Sequence, residues 1–261
     1  LRFSQAQINE TFEKWGGRKD AAKRGGFPTT GTNNLIMILA NFSDTEISFP
    51  QENFENYMNE ENYNGTGSFR DYYIEVSYGQ LIVNTTVTVW VTLPNTHDYY
   101  GPQSKWKEFA RDAVVAAAPY VDYSDFDNDG NGKVDGVAII HQGRGQEATS
   151  NTSDIWSHSS NLGYYQYISY NGVQIDAYTV QPEKSGNNAM ATIGVMCHEF
   201  GHNLGAPDYY DTDYEENGEY NGTGNWDIMA GGSYNNSGRT PAHHNPYTKW
   251  KYYEWITPTE L

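Results

Sequence analysis

The sequence predicts an α/β (α+β) fold: a twisted mixed sheet, one helix crossing the floor of a cleft, and a largely irregular C-terminal part. Three observations carry this expectation. Apolar, β-branched runs bounded by turn residues recur through the first part of the chain. A segment at 104–118 sets Trp106, Phe109, Ala110, Ala113 and Val114 at helical spacing. A second helical segment, at 189–204, carries an apolar stripe on one side and polar, titratable groups on the other.

Taken in order, the run Leu35-Ile36-Met37-Ile38-Leu39-Ala40 reads as a buried strand over 34–42. Helices are expected near 51–62 and 67–76. A long strand covers 81–93, from Leu81-Ile82-Val83 to Val89-Trp90-Val91. After the helix at 104–118 come a strand at 136–141 and a loop-rich insert with strands near 165–180. The helix at 189–204 follows, and the remainder is irregular until a helix near 246–254.

The 261 residues can bury a large core. Thirty-three acidic and 16 basic side chains give a net charge of −17. That balance argues against nucleic-acid binding, which needs a positive footprint, and against docking on anionic membranes. No run approaches the roughly 18 apolar residues of a membrane span. The one cysteine, Cys197, excludes an internal disulfide, and its place in an apolar stripe marks it as a buried, inert thiol. Residues 1–31 read as a leader or propeptide remnant or a linker, with a basic, glycine-rich stretch from Gly16 to Gly26. Residues 32–261 read as one domain with an upper lobe at about 32–204 and a lower lobe at about 205–261.

The chemistry concentrates in His198-Glu199-Phe200-Gly201-His202-Asn203-Leu204-Gly205-Ala206-Pro207-Asp208. On a helix, His198, Glu199 and His202 fall at about 0°, 100° and 40° around the axis, inside one wedge. Two imidazoles one turn apart can grip a single Zn²⁺, and the carboxylate between them can take a proton from water. Ile193, Cys197, Phe200 and Leu204 form the opposing apolar stripe. Gly205 can end the helix with a left-handed residue and Pro207 stops it from resuming. The chain then swings away, which can return Asp208 as a third zinc ligand. Downstream, Gly224 to Gly232 is a glycine-flanked turn around Met229. It resembles the Met-turn that underlies the metal in the metzincin clan.

At this point the chain resembles the immune-inhibitor-A-like family of secreted bacterial metallopeptidases. The resemblance rests on His198 through Asp213, on Asn34 to Asp44, on Ser68 to Leu81, on Asp154-Ile155-Trp156-Ser157-His158 and on Pro241-Ala242-His243. It covers roughly residues 30–261. It implies a metzincin-like zinc protease, secreted or at the cell surface of a bacterium. Zn²⁺ is the implied catalytic ion, a protein or peptide the substrate, and a monomer the expected state.

A second motif, Asp125 to Asp135, alternates acids around glycines in a tight loop, a pattern that suits the six to eight oxygens Ca²⁺ prefers. It is not an EF-hand, since Gly136 stands where a bidentate Glu is needed. It resembles the DxDGxGxxD calcium loops of the same family. Asp127, Asp129, Asn131 and Asp135 are the candidate side-chain ligands, Lys133 offers its carbonyl, and Asp125 is a further candidate. A later acidic loop adds Asp211 and Asp213 as candidates for a second ion.

The expected reaction is peptide hydrolysis, with Glu199 as general base. Tyr234, His243, His244 and Tyr247 are candidates for oxyanion or substrate contacts. The alternative is a catalytically silent, calcium-stabilised surface or adhesion module that binds glycans or host protein.

Overall fold

The computed structural model describes residues 26–163, 168–212 and 220–259. Its frame is a five-stranded mixed sheet. In chain order the strands are β1 (Gly31–Asn41), β2 (Leu81–Thr92), β3 (Val137–Arg144), β4 (His158–Asn161) and β7 (Ala177–Lys184). A two-stranded ribbon of β5 (Ile168–Tyr170) and β6 (Val173–Ile175) interrupts the series. The spatial order is β2-β1-β3-β7-β4. The first four run parallel, and β4 closes the edge antiparallel to β7.

Five α-helices longer than a single turn occur among the described residues: α1 (Gln51–Asn59), α2 (Phe69–Val76), α3 (Trp106–Ala117), α4 (Ile193–Asn203) and α5 (Pro246–Lys251). The central strand β1 shows why its sequence is continuously apolar. Leu35, Met37 and Leu39 face a core shared with α1, α2 and α4, while Ile36, Ile38 and Ala40 face a second core against α3. A parallel strand covered on both sides cannot alternate with polar residues. No described helix is long and apolar enough to cross a membrane.

Two sequence expectations change. The helix expected from 189 begins at Ile193, because residues 189–191 return beside β7, with Ala191 N–H on the Glu183 carbonyl at 2.9 Å. Asn188, at φ +64°, makes the reversal that permits this. The edge strand β4 lay inside sequence read as loop. Its polar run, His158-Ser159-Ser160-Asn161, lacks the apolar signal, and pairing with β7 alone makes it a strand.

The core reaches upstream of residue 32. Phe27 is buried with its ring edge-on to Phe200 at 4.8 Å, and its N–H donates to the Asn203 carbonyl at 3.3 Å. The Trp255 indole N–H donates to the Thr29 carbonyl at 2.6 Å. Residues 27–29 therefore join the C-terminal segment to the back of α4. Of the leader, propeptide remnant or linker expected over 1–31, residues 1–25 lie outside the described residues.

Candidate metal centre and cleft

Helix α4 places the wedge as its sequence dictates. Ile193, Cys197, Phe200 and Leu204 are all buried in the core shared with α2. Phe69, Tyr73 and Phe27 pack edge-on around the Phe200 ring at 4.8 to 5.1 Å. The helix is also held by hydroxyls, with Tyr73 donating to the Cys197 carbonyl at 2.7 Å and Tyr253 to that of Gly201 at 3.1 Å. Burial pushes the Cys197 thiol well up, which keeps it protonated and inert.

The helix ends in a Schellman turn. Ala206 N–H donates to the Gly201 carbonyl at 3.0 Å and Gly205 N–H to that of His202 at 2.9 Å. Gly205 stands at φ +103°, a conformation that side chains other than hydrogen resist. The turn does two things for the site. It aims the Ala206 carbonyl at His202 Nδ1, 2.8 Å away, and it returns Asp208 to the helix. Tyr209 N–H then donates to the Met229 carbonyl at 2.8 Å, so Asp208 is fixed on both sides.

His198 is oriented from the turn at 227–230: its Nδ1 lies 2.8 Å from the Ile228 carbonyl. Both histidines thus commit Nδ1–H to a backbone acceptor, which leaves the Nε2 lone pairs facing the cleft. Those two Nε2 atoms lie 3.1 and 3.4 Å from one oxygen, Asp208 Oδ1. That buried oxygen has no hydrogen-bond donor. Three acceptors without a donor require a cation between them. Donors at zinc distances in a tetrahedral site stand roughly 3.3–3.5 Å apart, close to what is seen. The residues fit a metal.

Taken with protons as the only cations, burial opposes a charge on His198, but Asp208, Glu199 and the Ile228 carbonyl outweigh it and raise its pKa to about 9. His202 is raised for the same reasons, Asp208 and Glu199 overcoming burial. For Asp208, burial is overcome by the two imidazoles, which hold it well below the usual carboxylate range. Glu199 is raised by burial, opposed by the histidines and supported by Asp208 and Glu147. It is 6% exposed and lines the cleft beside His198.

On the same helix as the two histidines, Gly201 faces Met229. A Cβ built on Gly201 would lie 2.6 Å from Met229 Sδ and 3.0 Å from His244 Cε1. The turn is anchored by buried Asp227, which accepts from Met229 N–H at 3.0 Å and from the Asn245 amide. Asn245 in turn caps α5, its Oδ1 accepting from Thr248 N–H at 2.9 Å. Neither Asp227 nor the Ile228 carbonyl was legible in the sequence, although Met229 marked the turn.

The other candidates separate. Tyr234 lines the same pocket as Glu199, its phenol raised by burial and by Glu147 and Glu199. His243 lies elsewhere: it pairs with Glu75 at 3.0 Å and Lys249 at 3.1 Å and lines a different pocket with Arg239 and Thr240. His244 is buried behind α4 against Tyr253. Tyr247 packs near Trp250 and Tyr252 on α5 and the residue after it.

In the acidic loop, one carboxylate oxygen each of Asp127, Asp129 and Asp135 gathers within 4.8 Å. Asp125 joins no such group among the described residues, and its carbonyl instead accepts from Asn34 Nδ2 at 3.2 Å. Asn131 donates its amide to Asp129 at 2.8 Å, and Lys133 bridges to Gln174 through the backbone. Asp135 is buried, with Oδ2 held by Asn128 and Oδ1 without a donor. Burial raises its pKa to about 6, against the Asn128 hydrogen bonds. Asp211 lines the cleft and joins no group of three ligands among the described residues, and Asp213 lies outside them.

The family "Immune inhibitor A peptidase M6, catalytic domain" matches residues 37–255. The chain belongs to this peptidase family. Immune inhibitor A of Bacillus thuringiensis subsp. alesti is 34% identical over 222 residues, 70% of this chain and 31% of that protein. The pre-pro-metalloprotease PrtV of Vibrio cholerae serotype O1 (strain M66-2) is 31% identical over 229 residues, 74% of this chain and 23% of that protein. The chain spans less than a third of the length of these relatives. The matched family is one of peptidases, and His198, His202 and Asp208 form one of two groups among the described residues that could hold a metal ion.

Proposed function

We propose that the chain is a zinc-dependent endopeptidase domain that acts on proteins or peptides outside a bacterial cell. The supporting observation is the convergence of two oriented Nε2 lone pairs on a donorless carboxylate oxygen, with a buried glutamate alongside. A zinc ion held by His198, His202 and Asp208 would supply Lewis-acid polarisation of the scissile carbonyl and a water acidic enough to react near neutrality.

The chain's own residues supply the rest. Glu199 takes the proton of the attacking water and passes it to the leaving amine. The Ile228 and Ala206 carbonyls keep each imidazole in the tautomer that presents Nε2. Tyr234 stands in the cleft as a donor for the developing oxyanion. The residues of edge strand β4 and those before it, Trp156 to Ser159, line the cleft beside both histidines. An extended peptide can add to such an edge through backbone hydrogen bonds.

The test is Glu199→Ala. It should keep a stoichiometric metal and lose nearly all casein hydrolysis. A wild-type rate in that variant would sink the general-base role. We further infer that Asp127, Asp129 and Asp135 hold a structural Ca²⁺, supported by their clustering and by the donorless Asp135 oxygen.

A further inference from the structure

The cleft widens beyond Glu199 into a pocket of about 740 Å³, bounded by Val195, Glu147, Trp156, Trp226 and Tyr234. Its charged walls have one sign. Glu147 and Asp211 line it together with Glu199, and apart from the candidate ligand His198 no basic side chain does so among the described residues.

Glu147 is held in place. The Ser157 hydroxyl donates to its Oε1 at 2.6 Å and Ser157 N–H to its Oε2 at 3.3 Å. Its carboxylate folds back over Gly145, where any Cβ would collide with both oxygens. No lysine, arginine or histidine forms an ion pair with it among the described residues. A fixed carboxylate without a cation repels anions and favours a cation as guest. Trp156 and Tyr234 add exposed aromatic surface to the same pocket, and aromatic faces attract cations.

We propose that Glu147 gives the cleft a preference for a basic side chain, lysine or arginine, on a residue flanking the scissile bond. This rests on the peptidase reading of the adjoining metal centre and names its substrate class. The long stem of such a side chain would lie along the aromatic wall while its head meets Glu147.

The experiment uses three peptides that differ at one position: lysine, norleucine or glutamate. That position is first located by mass-spectrometric profiling of cleavage sites in a peptide mixture. Wild type should cleave the lysine peptide with kcat/KM on the order of tenfold above the norleucine peptide, the scale of one charge-assisted contact. Glu147→Gln keeps an acceptor for Ser157 and should bring that ratio near one. Glu147→Lys should invert it in favour of glutamate, which a merely structural role for Glu147 would not do. The inference is overturned if no flanking position favours a basic residue, or if Glu147→Gln keeps the preference.

Binding of the same labelled peptides to Glu199→Ala protein separates this inference from the peptidase reading. Tighter lysine-peptide binding without any wild-type cleavage would sink the peptidase reading and uphold the pocket. Equal binding of lysine and norleucine peptides would overturn the pocket whatever the cleavage result.

Discussion

Gly201 lies so close to Met229 that a single added methyl would sit 2.6 Å from the thioether sulfur. The glycine between Phe200 and His202 is therefore the contact surface between the metal helix and the turn whose Ile228 carbonyl orients His198. Gly201→Ala would ordinarily raise helix propensity by about 1 kcal/mol. Here overpacking should prevail and cost about 1–3 kcal/mol. Thermal unfolding should show the loss, and competition against a zinc-binding dye should show about 10–100-fold weaker metal affinity, as when a ligand's orienting partner is removed.

In the chemical step Tyr234 should act through its hydroxyl, while its ring stays part of the aromatic wall of the pocket. Tyr234→Phe is expected to lower kcat by about 10²–10³ while KM changes little, the signature of a donor used in the transition state. Steady-state kinetics on a short peptide checks this, and an effect confined to KM would reassign Tyr234 to substrate binding.

Calcium should stabilise the fold through the loop at 127–135. At 100 times its dissociation constant, the ion should add about 2.7 kcal/mol, which raises Tm by several degrees in a chain of this size. Asp135→Asn keeps the volume and removes a buried charge, so most of the calcium-dependent rise should disappear in a melting series with and without CaCl₂.

Stability should fall in mild acid partly through His141. Burial lowers its pKa to about 4, against the pull of the Gln142 carbonyl and with help from His97 and His158. A histidine whose folded pKa lies below its unfolded value of 6.5 contributes stability that is complete above 6.5 and lost as pH falls towards 4. The slope for one such proton is at most about 1.4 kcal/mol per pH unit. His141→Gln should flatten the Tm-against-pH curve between 6.5 and 4, and an unchanged curve would show that His141 is not a principal acid-sensitive group.

Much of the candidate metal centre's geometry was legible because its parts are close in sequence and obey helical geometry. The wedge of His198, Glu199 and His202 follows from the pitch of a helix, and Asp208 follows from a glycine-forced stop. The groups that orient the ligands were not legible. The Ile228 and Ala206 carbonyls carry no residue signature, and Glu147 is an unremarkable acid until Ser157 and the cleft are assembled around it. The central strand was visible because burial on both faces imposes an apolar run. The edge strand β4 was not, because one exposed side lets it remain polar.

Phe27 bears on where the chain could be cut without loss of packing. Its ring is clamped behind the metal helix by Phe200, and its N–H is tied to the last residue of that helix, Asn203. A proteolytic cut before Gly26 leaves that clamp intact. A cut after Phe27 would strip a buried aromatic ring from the helix that carries both histidines, a loss on the order of 3–5 kcal/mol. Any cut that preserves this packing therefore has to fall upstream of Phe27, a boundary written into the packing rather than into any cleavage motif.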